Sequence, residues 1–115
     1  MRFEWDERKN RENKRKHGVS FELAALVFED EHCLVGKDRV DETGEQRWHA
    51  VGTVSIESGV GVVLLVVHVV RHPSGEDLPP GAPREEEDGE EIIRIISARH
   101  ANKNEYRRYQ EQEMD

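Results

Sequence analysis

Residues 47–70 read RWHAVGTVSIESGVGVVLLVVHVV, and that string decides the fold. Trp48, Ala50, Gly52, Val54 and Ile56 alternate with Arg47, His49, Val51, Thr53 and Ser55, so a strand with one packed and one more exposed face is predicted. Glu57-Ser58-Gly59 is a turn. Val60 to Val70 is apolar on both sides, the pattern of a central strand rather than an edge. Period alone would also allow a buried helix, but the density of valine favours the strand.

Working outward toward the N-terminus, Phe3 and Trp5 share a face opposite Arg2, Glu4 and Asp6, which gives a short strand over 2–5. Asp6 caps a helix that starts at Glu7. From Glu7 to Lys16 no side chain is apolar, so this helix is expected on the surface, held by docking at its ends. Gly18 terminates it as a left-handed C′ residue. Ser20 caps a second helix over 21–29, whose Phe21, Ala24, Ala25 and Phe28 form a core-facing stripe. Residues 30–46 are polar and support at most a short strand around Cys33-Leu34-Val35.

On the C-terminal side, Pro73, Pro79, Pro80, Pro83, Gly75, Gly81, Gly89 and the acidic run 85–88 predict a long, mobile hairpin loop across 73–90. A strand follows over 90–97, with Ile93 and Ile95 on one face and Ile92, Arg94 and Ile96 on the other. Asn102 and Glu105 form a capping box by type, placing a last helix over 103–112 that docks through Tyr106 and Tyr109. The class is α+β, in one domain spanning 1–115.

The 115 residues carry a formal net charge of -8, but the signs are segregated. Residues 1–17 sum to +3 and 94–109 to +4, whereas 76–91 sum to -7, 29–45 to -5 and 110–115 to -3. Two basic segments distant in sequence can make one anion-binding face if the fold joins them. The overall acidity disfavours non-specific coating of nucleic acid but permits a small focused site. One cysteine excludes an intramolecular disulfide and a Cys-rich zinc module. The chain opens without an apolar signal-peptide core, and its apolar run Val62–Val67 is too short to span a bilayer, so a cytoplasmic protein with no membrane association is expected.

Six scattered histidines show no ligand spacing, and no glycine-rich phosphate loop follows a strand, so neither metal nor cofactor is expected. His68, within the central strand, reads as a packed, hydrogen-bonded core residue. Arg94 lies between isoleucines, where a charge needs a partner or a binding surface. With Arg99, Lys103, Lys16 and His17 it offers phosphate-clamping donors and an imidazole, and Tyr109 could add a hydroxyl or a stacking platform. Cleavage of RNA by its own 2′-hydroxyl needs such groups and no metal. The competing reading makes Arg94 and Glu105 a buried pair and both tyrosines core.

Phe3-Glu4-Trp5-Asp6, then Lys9, Asn13 and the run Lys16 to Glu22, with Arg47, Gly52, the run Arg94 to Arg99, Ala101, Glu105, Arg107, Arg108 and Tyr109, resemble the BrnT family of ribonuclease toxins. These belong to bacterial type II toxin–antitoxin systems and are structural relatives of RelE-like toxins. The resemblance implies a RelE-like fold, a small mainly antiparallel sheet with two N-terminal helices and one C-terminal helix. It implies a ribonuclease that cleaves RNA and stops translation, neutralised by a BrnA-like antitoxin with a ribbon-helix-helix, through which alone it meets DNA. By the same resemblance Lys16, His17, Arg94, Arg99 and Tyr109 are catalytic. Lys9, Asn13, Lys103, Arg107 and Arg108 bind RNA, and Glu22 and Glu105 support them. An inactive relative that serves as an antitoxin-binding or co-repressor module is the alternative. Two departures from the family pattern are the long acidic loop and Asn102 in place of a threonine.

Overall fold

The structure, a computed structural model, describes residues 1–72 and 91–112; the loop expected across 73–90 lies outside them. In chain order the elements are β1 (Arg2–Glu4), α1 (Glu7–His17), α2 (Phe21–Ala25) running into a 3₁₀ turn (Leu26–Glu29), β2 (Leu34–Val40), β3 (Gln46–Ser55), β4 (Gly61–Arg71), β5 (Ile92–His100) and α3 (Lys103–Gln112). The strands form one sheet in the order β1-β5-β4-β3-β2. All neighbours are antiparallel except β1, which runs parallel to β5. The expected α+β architecture, with two helices before the sheet's meander and one after it, is the one observed.

Because β4 is apolar on both sides, the sheet buries two faces. On the first, Val19, Phe21, Ala24 and Val27 from the α2 region pack on Ala50, Val54, Leu64, Val66, Ile93, Ile95 and Ala98. His68 belongs to this face, 2% exposed, with its ring edge-on to Phe28 at 4.9 Å. On the second face α3 lays Tyr109 over Val51 and Leu65. Only one of the two tyrosines docks: Tyr106 is exposed and accepts a bond from Gln110.

The helix starts follow the chemistry of their caps. Asp6 accepts from the N–H groups of Arg8 and Lys9, Ser20 accepts from that of Leu23, and Gly18 turns the chain at φ 72°. The second helix is shorter than its stripe suggested, because its last turn tightens to 3₁₀. Gly52 allows that turn to approach: a Cβ there would stand 2.9 Å from Val27 Cγ1 and 3.1 Å from the Val27 carbonyl. β2 is longer than expected, reaching Val40 with a register irregularity after Lys37. Pairing to β3 satisfies its backbone whatever its side chains are, and as an edge strand it leaves the polar ones in solvent.

α1 docks along its length, not at its ends alone. Asn10 and Asn13 are buried on a helix with no apolar residue. Asn10 accepts from the Phe21 N–H (2.8 Å), one of the unpaired donors that begin α2, and donates to Glu22 (2.8 Å). Asn13 donates to the carbonyls of Val19 and Ala98, both at 2.8 Å, and accepts from the Ala98 N–H at 3.2 Å. β1 covers β5 only as far as Arg94. Beyond it, the Asn13 amide does for the β5 edge what a neighbouring strand would.

Replacing Asn13 with Ala leaves three backbone groups unpaired and should lower unfolding free energy by about 2–4 kcal/mol in urea titrations; a loss within 0.5 kcal/mol would refute this role. A second outcome concerns acid. Burial lowers the His68 pKa against the opposing bond to the Val66 carbonyl, so the folded protein holds this ring neutral. The unfolded ring titrates near 6.5, so protons favour the unfolded chain below about that pH. The stability gap between wild type and His68→Leu, followed by denaturation from neutral to acid, should shift against the wild type as pH falls through that value.

Candidate active site: an arginine-bearing sheet face

Arg94 and Arg99 are five residues apart, which in a regular strand would send them to opposite faces. The register prevents this. Ile95 pairs with His68 and Ser97 with Val67, so Ile96 is an extra residue in β5. Arg94 then stands opposite Val69 and Arg99 opposite Leu65, on the second face of the sheet. Four β4 positions separate them, about 13 Å along the strand.

Each arginine is held by a carboxylate. Arg94 donates to Glu4 at 2.7 Å, its neighbour in the β1–β5 register, and Arg71 lies 3.9 Å from the same oxygen. Arg99 forks onto both oxygens of Glu105 at 2.8 and 2.9 Å and donates to the His100 carbonyl. The Arg99 bonds pull the Glu105 pKa down despite partial burial, and Glu105 raises that of Arg99 in return. Glu105 also closes the capping box with Asn102, each accepting the other's N–H at 2.9 Å. The carboxylate that starts α3 therefore also aims Arg99. The pair Arg94–Glu105 of the competing reading is not formed.

Tyr109 is 6% exposed. Its hydroxyl accepts from Thr53 Oγ1 at 3.0 Å and donates to Asp30 Oδ2. The same Asp30 oxygen accepts the Thr53 N–H at 2.8 Å, on the β3 edge beyond the start of β2. Burial raises the Asp30 pKa, but the bonds from Thr53, Tyr109 and His32 outweigh it and lower the net value. Tyr109 thus ties α3 to the opposite layer, where an RNA base could not stack on it. Cys33, close by, is pushed up to about 11 by burial and the Asp30 charge, so its thiol stays protonated at neutral pH.

The remaining candidates divide by location. Lys103, Arg107 and Arg108 are exposed on α3, the helix that covers part of the arginine face. Lys9, Lys16 and His17 are exposed on α1, in the layer joined to α2. Asn13 fixes α1 beside Ala98, the neighbour of Arg99 in sequence; Lys16 lines a shallow surface depression with Glu12 and Arg15, in which neither Arg94 nor Arg99 takes part. Asn13 and Glu22 hold α1, Asn13 through the Val19 and Ala98 backbone and Glu22 through the Asn10 amide.

Three residues on the arginine face escaped the sequence reading as site residues: Arg47, His49 and Arg71. For Arg47 and His49 the signal was present in the alternation around Trp48, which sets both on the side away from the packed face; Arg71 follows the apolar run of β4 with no such signal. His49 faces Val67, the row between those of Arg94 and Arg99. Its charge when protonated acts on Glu105, lowering that pKa further.

Among the described residues no helix is long and apolar enough to cross a membrane. No curated protein matches this chain. A family model described as the ribonuclease toxin BrnT of type II toxin–antitoxin systems matches residues 5–105. That span takes in α1 with its buried asparagines, the bulged β5 and the capping box of α3, and by it the chain belongs to the BrnT family of ribonuclease toxins of type II toxin–antitoxin systems.

Proposed function

We propose that this protein is an endoribonuclease that cleaves RNA without a metal ion and thereby blocks translation in the cytoplasm. The whole chain acts as one RelE-like toxin domain. The observation that carries the reading is the placement of Arg94 and Arg99 on one face of β5, in a chain of this family. Two arginines whose strand positions lie about 13 Å apart on one face suit an extended RNA strand better than a single small anion, one holding a phosphate of the chain and the other the developing phosphorane. The exposed Lys103, Arg107 and Arg108 of α3 would extend that path.

The 2′-hydroxyl attacks phosphorus, its proton passes to a base, and the P–O5′ bond breaks as the leaving oxygen takes a proton. Arg94 and Arg99 stabilise the charge. Lys16 or His17 moves the proton, which requires the end of α1, docked at the β5 edge by Asn13, to reach round that edge to the arginine face; Lys9 contacts the strand, and Tyr109, Asn13 and Glu22 act by positioning. Glu105 orients Arg99. The partner is a small BrnA-like antitoxin with a ribbon-helix-helix, which carries the DNA contact and neutralises the toxin.

Purified protein should cleave RNA equally well with EDTA present. The variant Arg94→Ala, Arg99→Ala should lose about 100-fold or more of that activity and should not arrest growth on expression. Equal cleavage by the two proteins would overturn the site, and sensitivity to EDTA would overturn metal independence.

A further inference from the structure

We infer that Arg47 and Arg71 join Arg94 in a binding subsite for a backbone phosphate of single-stranded RNA, centred above Val69. This rests on the ribonuclease reading and extends it to two residues outside the segments that carry Arg94 and Arg99. The register supplies the placement. Val69 faces Arg94 on one side, and the β3–β4 pairing, continued one residue beyond Trp48 and His68, sets Arg47 on the other. Arg71 follows two residues after Val69 on the same side of β4. Arginines from three adjacent strands thus surround one valine that is 2% exposed, a low-dielectric floor that strengthens charge interactions above it.

Two details support an oxyanion there. Glu4 already brings Arg94 and Arg71 to one oxygen atom, at 2.7 and 3.9 Å, so both guanidiniums reach a common point. The longer contact leaves Arg71 loosely held. Arg47 meets Asp41 only at 3.6 Å, and its Nε is buried with no hydrogen-bond partner among the described residues. A buried unpaired donor is costly and uncommon, so the guanidinium holds no strong bond that a phosphate would have to displace, and a phosphate that drew it outward would relieve that cost. Three guanidiniums against the two carboxylates Glu4 and Asp41 leave the cluster cationic, and a fork of N–H donors suits phosphate.

The test uses the full chain and a mixed-sequence RNA oligonucleotide with 2′-O-methyl groups, which binds but cannot be cut. Binding is followed by fluorescence anisotropy across a range of salt concentrations, and wild-type cleavage of the matching unmodified RNA is run alongside. Arg47→Gln and Arg71→Gln should each weaken binding about tenfold and reduce the slope of log affinity against log salt by about 0.7. Arg39→Gln, on the exposed edge strand, should do neither. Glu4→Gln should tighten binding by removing the competing carboxylate, and by more than Glu12→Gln, which removes an exposed carboxylate on α1 away from the subsite. In the wild type the Arg47 Nε–H resonance should shift on adding the oligonucleotide. A wild type that cleaves RNA while both arginine variants bind with unchanged affinity and slope overturns the subsite and leaves the ribonuclease reading standing. A resonance that moves with inorganic phosphate but not with the oligonucleotide also overturns it. RNA neither bound nor cut by the wild type overturns the ribonuclease reading and the subsite together.

Discussion

The sheet ends twice in mid-strand, and each time a side chain finishes it. β1 stops beside Arg94, and Asn13 takes the Ala98 N–H and carbonyl that follow. β2 begins opposite Val51, and Asp30 takes the Thr53 N–H beyond it. Backbone groups buried without partners would cost more than the packing around them could offset easily. These two residues also join layers: Asn13 fixes a helix with no apolar side chain, and Asp30 links the 3₁₀ turn to α3 through Tyr109. The arginine face depends on both, because they fix β5 and α3 around it.

One extra residue in β5 gives that face its character. With regular pairing Arg99 would be driven into the apolar layer beneath α2, where its charge would be desolvated. The bulge at Ile96 returns it to the side of Arg94 while Ile93, Ile95 and Ala98 remain in the core. Bulges often re-aim side chains near functional sites, and here the change of phase separates the apolar and cationic roles of one strand.

Much of the architecture was legible because local signals agreed. Asp6, Gly18, Ser20 and the Asn102–Glu105 box fix helix ends by chemistry that acts within four residues, and β4 announces itself by composition. β2 was underestimated since its order comes from β3 rather than from its own side chains. The site was less legible. Arg94 stood out as a charge between isoleucines and Arg99 as a phosphate-clamping candidate, but which face they share depends on a register that only β4 supplies. Asn13 shows the same limit: the sequence offers an amide on a basic helix, and only the missing edge of β5 turns it into a fastener. Arg47 and His49 were hidden in an ordinary polar alternation, and the partner of Arg94 proved to be Glu4, ninety residues earlier.

Glu105 has a consequence of its own. One carboxylate closes the first turn of α3 and grips Arg99 by two bonds. Anything that competes for that guanidinium also perturbs the helix start, and by reciprocity the order of the helix start sets how readily the guanidinium is released. Occupancy of the arginine and fraying of the terminal helix are therefore two readings of a single equilibrium, with the glutamate as its pivot.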